Sequence, residues 1–179
     1  MTTPAATDPR FPVGKFAPPA AYDDAFRAAA IATLVALPAN LRTALSGLTD
    51  AQLATPYRDG GWTVRQVVHH LADSHVNSYI RLRFALTTER PTIMPYPEEV
   101  WAELPDAKNG PIDTSLNILD GLHARWTMLL KSLKPAEFGR VWVHPDHGER
   151  TVDWMTALYS WHSRHHTAHV TELRRAKGW

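Results

Sequence analysis

Apolar residues recur at three- and four-residue spacing over four stretches of the chain, and segments rich in proline and glycine separate them. That spacing puts side chains on one face of a helix. The first stretch, from about Tyr22 to Leu48, is rich in alanine and leucine, and Pro38 should kink or divide it. The second follows Gly60-Gly61, where Thr63 and Gln66 stand as a capping box and Val64, Val68, Leu71 and Leu82 share a stripe, which predicts a helix over 64–86. In the third, Leu116, Leu119, His123, Trp126, Leu130 and Leu133 recur, with Asp113 or Thr114 as the cap and Pro135 beyond the end. The fourth begins after Thr151 or Asp153 and runs to about Lys177.

The segments between the stripes complete the picture. Residues 1–20 carry Pro4, Pro9, Pro12, Pro18 and Pro19 and read as an extended N-terminal arm. Residues 88–113 hold five prolines without a clean period, so they read as a long structureless connection, a crossover or a lid. "GRVWVHPDHGERTV" alternates around Pro-Asp-His-Gly like a short hairpin. The fold expected is all-α: one domain over 1–179, a four-helix bundle that is not simple up-and-down, with a long crossover loop and a small β-hairpin insertion.

Composition narrows the function classes. The 179 residues are 44% hydrophobic and 21% charged, enough for a real core. Net charge is +1 with no long basic run, which argues against nucleic acid or an anionic membrane as partner. The N-terminus has no apolar core of signal-peptide length, and no stretch reads as the roughly 18 apolar residues of a membrane span, so the expected location is cytoplasmic. There are no cysteines, so a bound metal would have to be held by nitrogen and oxygen.

Histidine is where chemistry concentrates. Four of the ten histidines, His162, His165, His166 and His169, fall within eight residues of the fourth helix. On a helical wheel His162 and His166 straddle the apolar stripe of Met155, Leu158 and Leu173. His169 lies near the same line, and His165 sits at its margin toward Trp154 and Trp161. Two imidazoles four apart can share one ion, as His162 with His166 and His165 with His169 both do by spacing, and the stripe favours the first pair. A third ligand must come from another helix. The second helix offers His69, His70 and His75. Its stripe centres on His75, which periodicity alone chooses, whereas His70 belongs to a polar line with Ser74, Asn77 and Arg81 that suits a pocket wall or solvent equally well, so the residues by themselves leave the third ligand open. Asp73 points away from the stripe, toward the surface; His123, on an apolar stripe, reads as a residue behind the ligands or, preferably, a merely buried histidine, His144 and His147 as solvent-facing, and Trp126 and Tyr159 as core or pocket walls.

The segments "TPYRDGGWTVRQVVHHLADSH", "WAELPDA", "LHARWTMLL" and "YSWHSRHHTAHVTEL" resemble, in order and spacing, the YfiT-type metal-dependent hydrolases of the DinB-like superfamily, a branch also described as bacillithiol transferases. The match runs from about Pro12 to Trp179. The resemblance implies a four-helix bundle holding one divalent ion, zinc or nickel, on three histidines: the one before "LAD", which is His70, and the pair His162 and His166. It also implies a homodimer, to which seven tryptophans could lend spare apolar surface.

Three neutral imidazoles leave a coordination position open for water or substrate. The first expectation is an enzyme that transfers a low-molecular-weight thiol, bacillithiol-like, to an electrophilic small molecule through a metal-bound thiolate. Asn77 and Arg81 would line the approach, Arg81 facing an anionic group of the thiol, with Tyr159 as a wall. The alternative is a metal-dependent hydrolase using metal-bound hydroxide, which gains from a general base that the outward Asp73 does not supply. A third is a metal-binding bundle used for sensing or storage, separable by a turnover assay.

Overall fold

Residues 8–179 are described by a computed structural model. Along them run α1 (Asp24–Leu45), α2 (Asp50–Leu53), α3 (Val64–Thr87), α4 (Glu98–Trp101), α5 (Pro105–Asn109), α6 (Ile112–Ser132), α7 (Pro135–Phe138), β1 (Val141–His144), β2 (Gly148–Thr151) and α8 (Val152–Lys177). The four long helices, α1, α3, α6 and α8, make the bundle.

Three of them start where local chemistry says they should. The Asp23 carboxylate accepts from the Phe26 N–H at 2.7 Å, and the Thr151 hydroxyl accepts from Trp154 N–H at 3.1 Å. Thr63 and Gln66 close their capping box at 2.9 and 3.2 Å, and the Gln66 amide also donates to the Ala102 carbonyl at 2.8 Å, tying the crossover to the start of α3. The start of α6 departs from expectation. It begins at Ile112 behind Pro111, without a side-chain cap, and the Thr114 hydroxyl donates to the Pro111 carbonyl at 2.8 Å instead of accepting. Pro38 does not divide α1, which continues to Leu45.

Helix α1 packs against α6 and α8, and α3 packs against the same two. The order around the bundle is therefore α1, α6, α3, α8, so the steps from α1 to α3 and from α6 to α8 cross a diagonal. In a simple up-and-down bundle successive helices are neighbours. The core falls into two apolar clusters. One gathers Leu37, Leu41, Val68, Leu71, Leu119 and Val170, and the other Leu34, Leu82, Trp126, Leu130, Met155 and Tyr159. Each fully buried leucine contributes roughly 2 kcal/mol. Three of the long helices pass from one cluster to the other at a histidine: α3 at His75, α6 at His123, and α8 at His162 and His166.

The crossover is not structureless. Two of its five prolines sit where a helix needs no N–H, Pro97 at the cap of α4 and Pro105 at the first position of α5, and so open short helices. Thr92 bridges Val143, with Ile93 N–H donating to the Val143 carbonyl and Val143 N–H to the Pro91 carbonyl, each at 2.9 Å. The hairpin itself pairs Val141 with Thr151, turns over 145–147 and re-enters the ladder at Gly148, whose φ of +69° favours glycine.

One further expectation needs revision. Helix α1 is long and apolar enough to cross a membrane by length and composition; here Ile31, Leu34, Leu37 and Leu41 are buried in the bundle core. The extended arm begins in residues 1–7, outside the described residues. Residues 8–20 form neither helix nor strand and lie along α8: the Gly14 carbonyl accepts from the Trp161 indole at 3.0 Å, and Phe16 meets Trp154 edge-on at 5.6 Å.

Candidate metal centre

Helices α3 and α8 are neighbours, and across their gap the Nε2 atoms of His70 and His162 stand 3.2 Å apart. The His166 ring lies 4.8 Å from His70 and 4.4 Å from His162, centre to centre. One nitrogen from each ring lies within 4.8 Å of the others. A tetrahedral ion with nitrogen bonds of about 2.1 Å holds neighbouring donors about 3.4 Å apart, which the facing Nε2 pair nearly matches. All-imidazole donors suit zinc, nickel, copper or iron and not magnesium or calcium. The residues present therefore fit a first-row ion.

The rings are ready to coordinate. Burial holds His70 down to about 3, with His165 and His169 adding to it, and pushes His162 and His166 well below the ordinary imidazole value. All three are neutral at physiological pH and present lone pairs without losing a proton first. Trp62 lies against His70 with ring centres 4.6 Å apart, walling one side.

His75 is the deepest histidine of α3, as its stripe indicates, and it is fully buried. Depth does not make it a member of the triad. Its Nε2 contacts His162 Nδ1 at 3.1 Å and its Nδ1 contacts His123 Nε2 at 2.9 Å. His75 and His70 both reach α8 at His162, but His75 meets its Nδ1 whereas His70 meets its Nε2, the nitrogen on the side of His166. His123 is buried as expected but is no isolated core residue, because its Nδ1 also meets the Leu34 carbonyl at 2.7 Å. A buried histidine on the stripe of two different helices was the signal for this link.

His165 and His169 form a second group with His166, whose Nδ1 lies 3.3 Å from that of His169. His165 stacks on Trp161 at 4.3 Å and His169 on Tyr57 at 4.0 Å. Burial lowers both to about 4.

The remaining candidates spread along α3. Tyr159, one turn before His162, shares a 3.1 Å hydrogen bond with the Ser74 hydroxyl, and its ring lies 5.4 Å from His162. Asn77 donates to the Asp73 carbonyl at 2.9 Å. Arg81 donates to the Met94 carbonyl at 3.0 Å, and its guanidinium lies 5.9 Å from the Tyr96 ring. Eleven residues separate Arg81 from His70, about 16 Å along the helix axis. Arg81 is therefore not beside the triad; with Tyr96, Glu98, His144 and His147 it lines a separate cavity of about 420 Å³. His144 is half-buried there and stacked on His147 at 4.5 Å, so only His147 is exposed. A second cavity of about 490 Å³, lined by Tyr57, Trp62, Gln66 and Glu103, shares Glu98 with the first. Asp73 is half-buried where full exposure was expected, and burial together with Asp106 raises its carboxyl to about 6. Among the described residues, no carboxylate joins either histidine group.

The sequence model of the DinB superfamily matches residues 33–170. The chain belongs to the DinB superfamily. A protein of Bacillus mycoides (strain KBAB4), named "Putative metal-dependent hydrolase", is 50% identical over 172 residues, 96% of this chain and 99% of its own. YfiT of Bacillus subtilis, which carries the same name, is 50% identical over 170 residues, 94% of this chain and 96% of its own. The solved structure of YfiT, described as "a probable metal-dependent hydrolase with an unusual four-helix bundle topology", matches with a TM-score of 0.93 at 49% identity, over 96% of this chain and 98% of that one. In the present DinB bundle the diagonal connections depart from up-and-down order.

Proposed function

We propose that this chain is a metal-dependent enzyme in which His70, His162 and His166 hold one zinc or nickel ion, and that it transfers a low-molecular-weight thiol such as bacillithiol to an electrophilic carbon. The observation that carries the reading is a set of three convergent, neutral imidazoles with no carboxylate beside them. When bound, such an ion acidifies the water or thiol in its open position and so supplies a nucleophile at neutral pH. Transfer of a thiol would then need no general base: its proton would pass to solvent water, and the sulfur–carbon bond would form as the leaving group departs with its electron pair.

The chain's own residues orient the reactants. Trp62 restricts solvent access on the His70 side. The Arg81 Nε is buried without a hydrogen-bond partner among the described residues, which suits it to an anionic group of the thiol. Its separation from the triad calls for an elongated thiol that reaches past Asn77 and Tyr159. With no cysteine in the chain, no protein thiol competes. The working assembly in this reading is a cytoplasmic homodimer.

Hydrolysis is the second reading, favoured by the names of the relatives. Zinc- or nickel-loaded protein assayed with several thiols against monochlorobimane, beside generic ester and amide substrates, decides between them. Thiol-dependent conjugation that His162→Ala abolishes is the expected result. Ester or amide turnover without thiol dependence would replace transfer by hydrolysis.

A further inference from the structure

Every long helix of the bundle contributes one member to a continuous line of hydrogen bonds that ends at a metal-ligand ring. The Leu34 carbonyl of α1 meets His123 Nδ1 of α6 at 2.7 Å, and His123 Nε2 meets His75 Nδ1 of α3 at 2.9 Å. His75 Nε2 meets His162 Nδ1 of α8 at 3.1 Å, and His162 Nε2 faces His70.

The carbonyl gives this line a direction. A carbonyl oxygen only accepts, so the proton of His123 is on Nδ1. Its Nε2 is then an acceptor, which puts the proton of His75 on Nδ1, and the same step puts the proton of His162 on Nδ1. What remains is a lone pair on His162 Nε2, aimed at the triad. Each ring carries a single proton because, among the described residues, no carboxylate is hydrogen-bonded to any of the three, and a charged ring buried there would lack a counter-ion.

A purely structural role does not account for the line. His75 and His123 interrupt the bundle axis between two apolar clusters, where leucines would pack without any polar atom to satisfy. A free neutral imidazole favours the Nε2–H tautomer, which would set a proton where the ion belongs.

We propose that His75 and His123 are positioning residues for the metal, locking His162 as the Nδ1–H tautomer and committing its Nε2 lone pair to the ion. The proposal rests on His162 being a ligand, and it adds to the triad two residues that touch neither the ion nor the substrate. Partners behind a ligating imidazole typically change metal affinity by roughly ten- to hundredfold.

Long-range ¹⁵N–¹H correlation spectra of the metal-free full chain at neutral pH read the tautomers directly, without any substitution. Nδ1–H at His123, His75 and His162 is the expected result, and Nε2–H at His75 or His123 overturns the proposal. Zinc titration against a chromogenic chelator supplies a second readout. His123→Phe removes the acceptor for His75 and should weaken zinc binding roughly tenfold or more. His123→Gln sets an amide oxygen near the place of Nε2 and should recover most of that loss. Equal affinities for the two variants, whether both weakened or both normal, overturn the proposal. His70→Ala in the same titration tests the triad separately: wild-type zinc binding there would sink the ligand assignment, while the tautomer spectra would still judge the line.

Discussion

His70 and His162 come from neighbouring helices that are not consecutive in the chain, and their Nε2 atoms face one another at 3.2 Å with His166 beside them. Purified protein should accordingly carry about one first-row divalent ion per chain. His70→Ala and His166→Ala should each lose it, whereas His75→Ala should still fill to one ion at saturating zinc, with weaker affinity. Elemental analysis of the three variants reads this, and full metal content in His166→Ala would remove the pair from the site.

Asp153, in the first turn of α8, receives Nε and Nη2 of Arg27 at 2.8 Å each, both side chains being largely buried. Removing one partner of such a pair leaves an uncompensated charge, so Arg27→Ala should cost about 3 kcal/mol in urea unfolding. Arg27→Lys should restore only part of it, because an ammonium lacks the two-pronged fit. A loss under about 1 kcal/mol would show the pair to be solvent-screened.

The Asp73 carboxyl is raised to about 6, so the folded chain binds a proton that the unfolded chain releases near pH 4. Between those values the native state holds more protons, and stability falls as pH rises, with the whole penalty in place above pH 6. Asp73→Asn removes the penalty. Its stabilisation should grow from near zero around pH 4 to about 1–2 kcal/mol at pH 8, after allowance for partial exposure. Urea midpoints of both proteins across that range test it, and a pH-independent difference would contradict the assignment.

Ile80 and Phe84 stand four apart on α3 and are 47% and 53% exposed, and Met94 beyond them is 85% exposed. Spare apolar surface of this kind accords with the proposed homodimer. Sedimentation at micromolar concentration should show twice the 20.1 kDa chain mass. A single species at the chain mass would refute the dimer.

Much of the bundle was determined by the sequence alone. The Thr63–Gln66 box, the Thr151 cap and the three- and four-residue stripes act within one or two turns, so the starts of α3 and α8 and the hairpin between α7 and α8 are legible without a fold. The spacing of His162 and His166 is local in the same sense: four residues on any helix bring two rings to one face. The third histidine is not local. A stripe reports how deep a side chain points, and by depth His75 was the choice; which helix a side chain meets depends on the order of helices around the axis. Because α3 neighbours α8, His70 meets both rings of the pair, while His75 at the centre touches only the Nδ1 side of His162 and joins it to His123. The start of α6 and the short helices of the crossover were hidden for a related reason. Prolines that break a long helix can also open a short one, and contacts such as Gln66 to Ala102 and Val143 to Ile93, far apart in the chain, settle which role each proline takes.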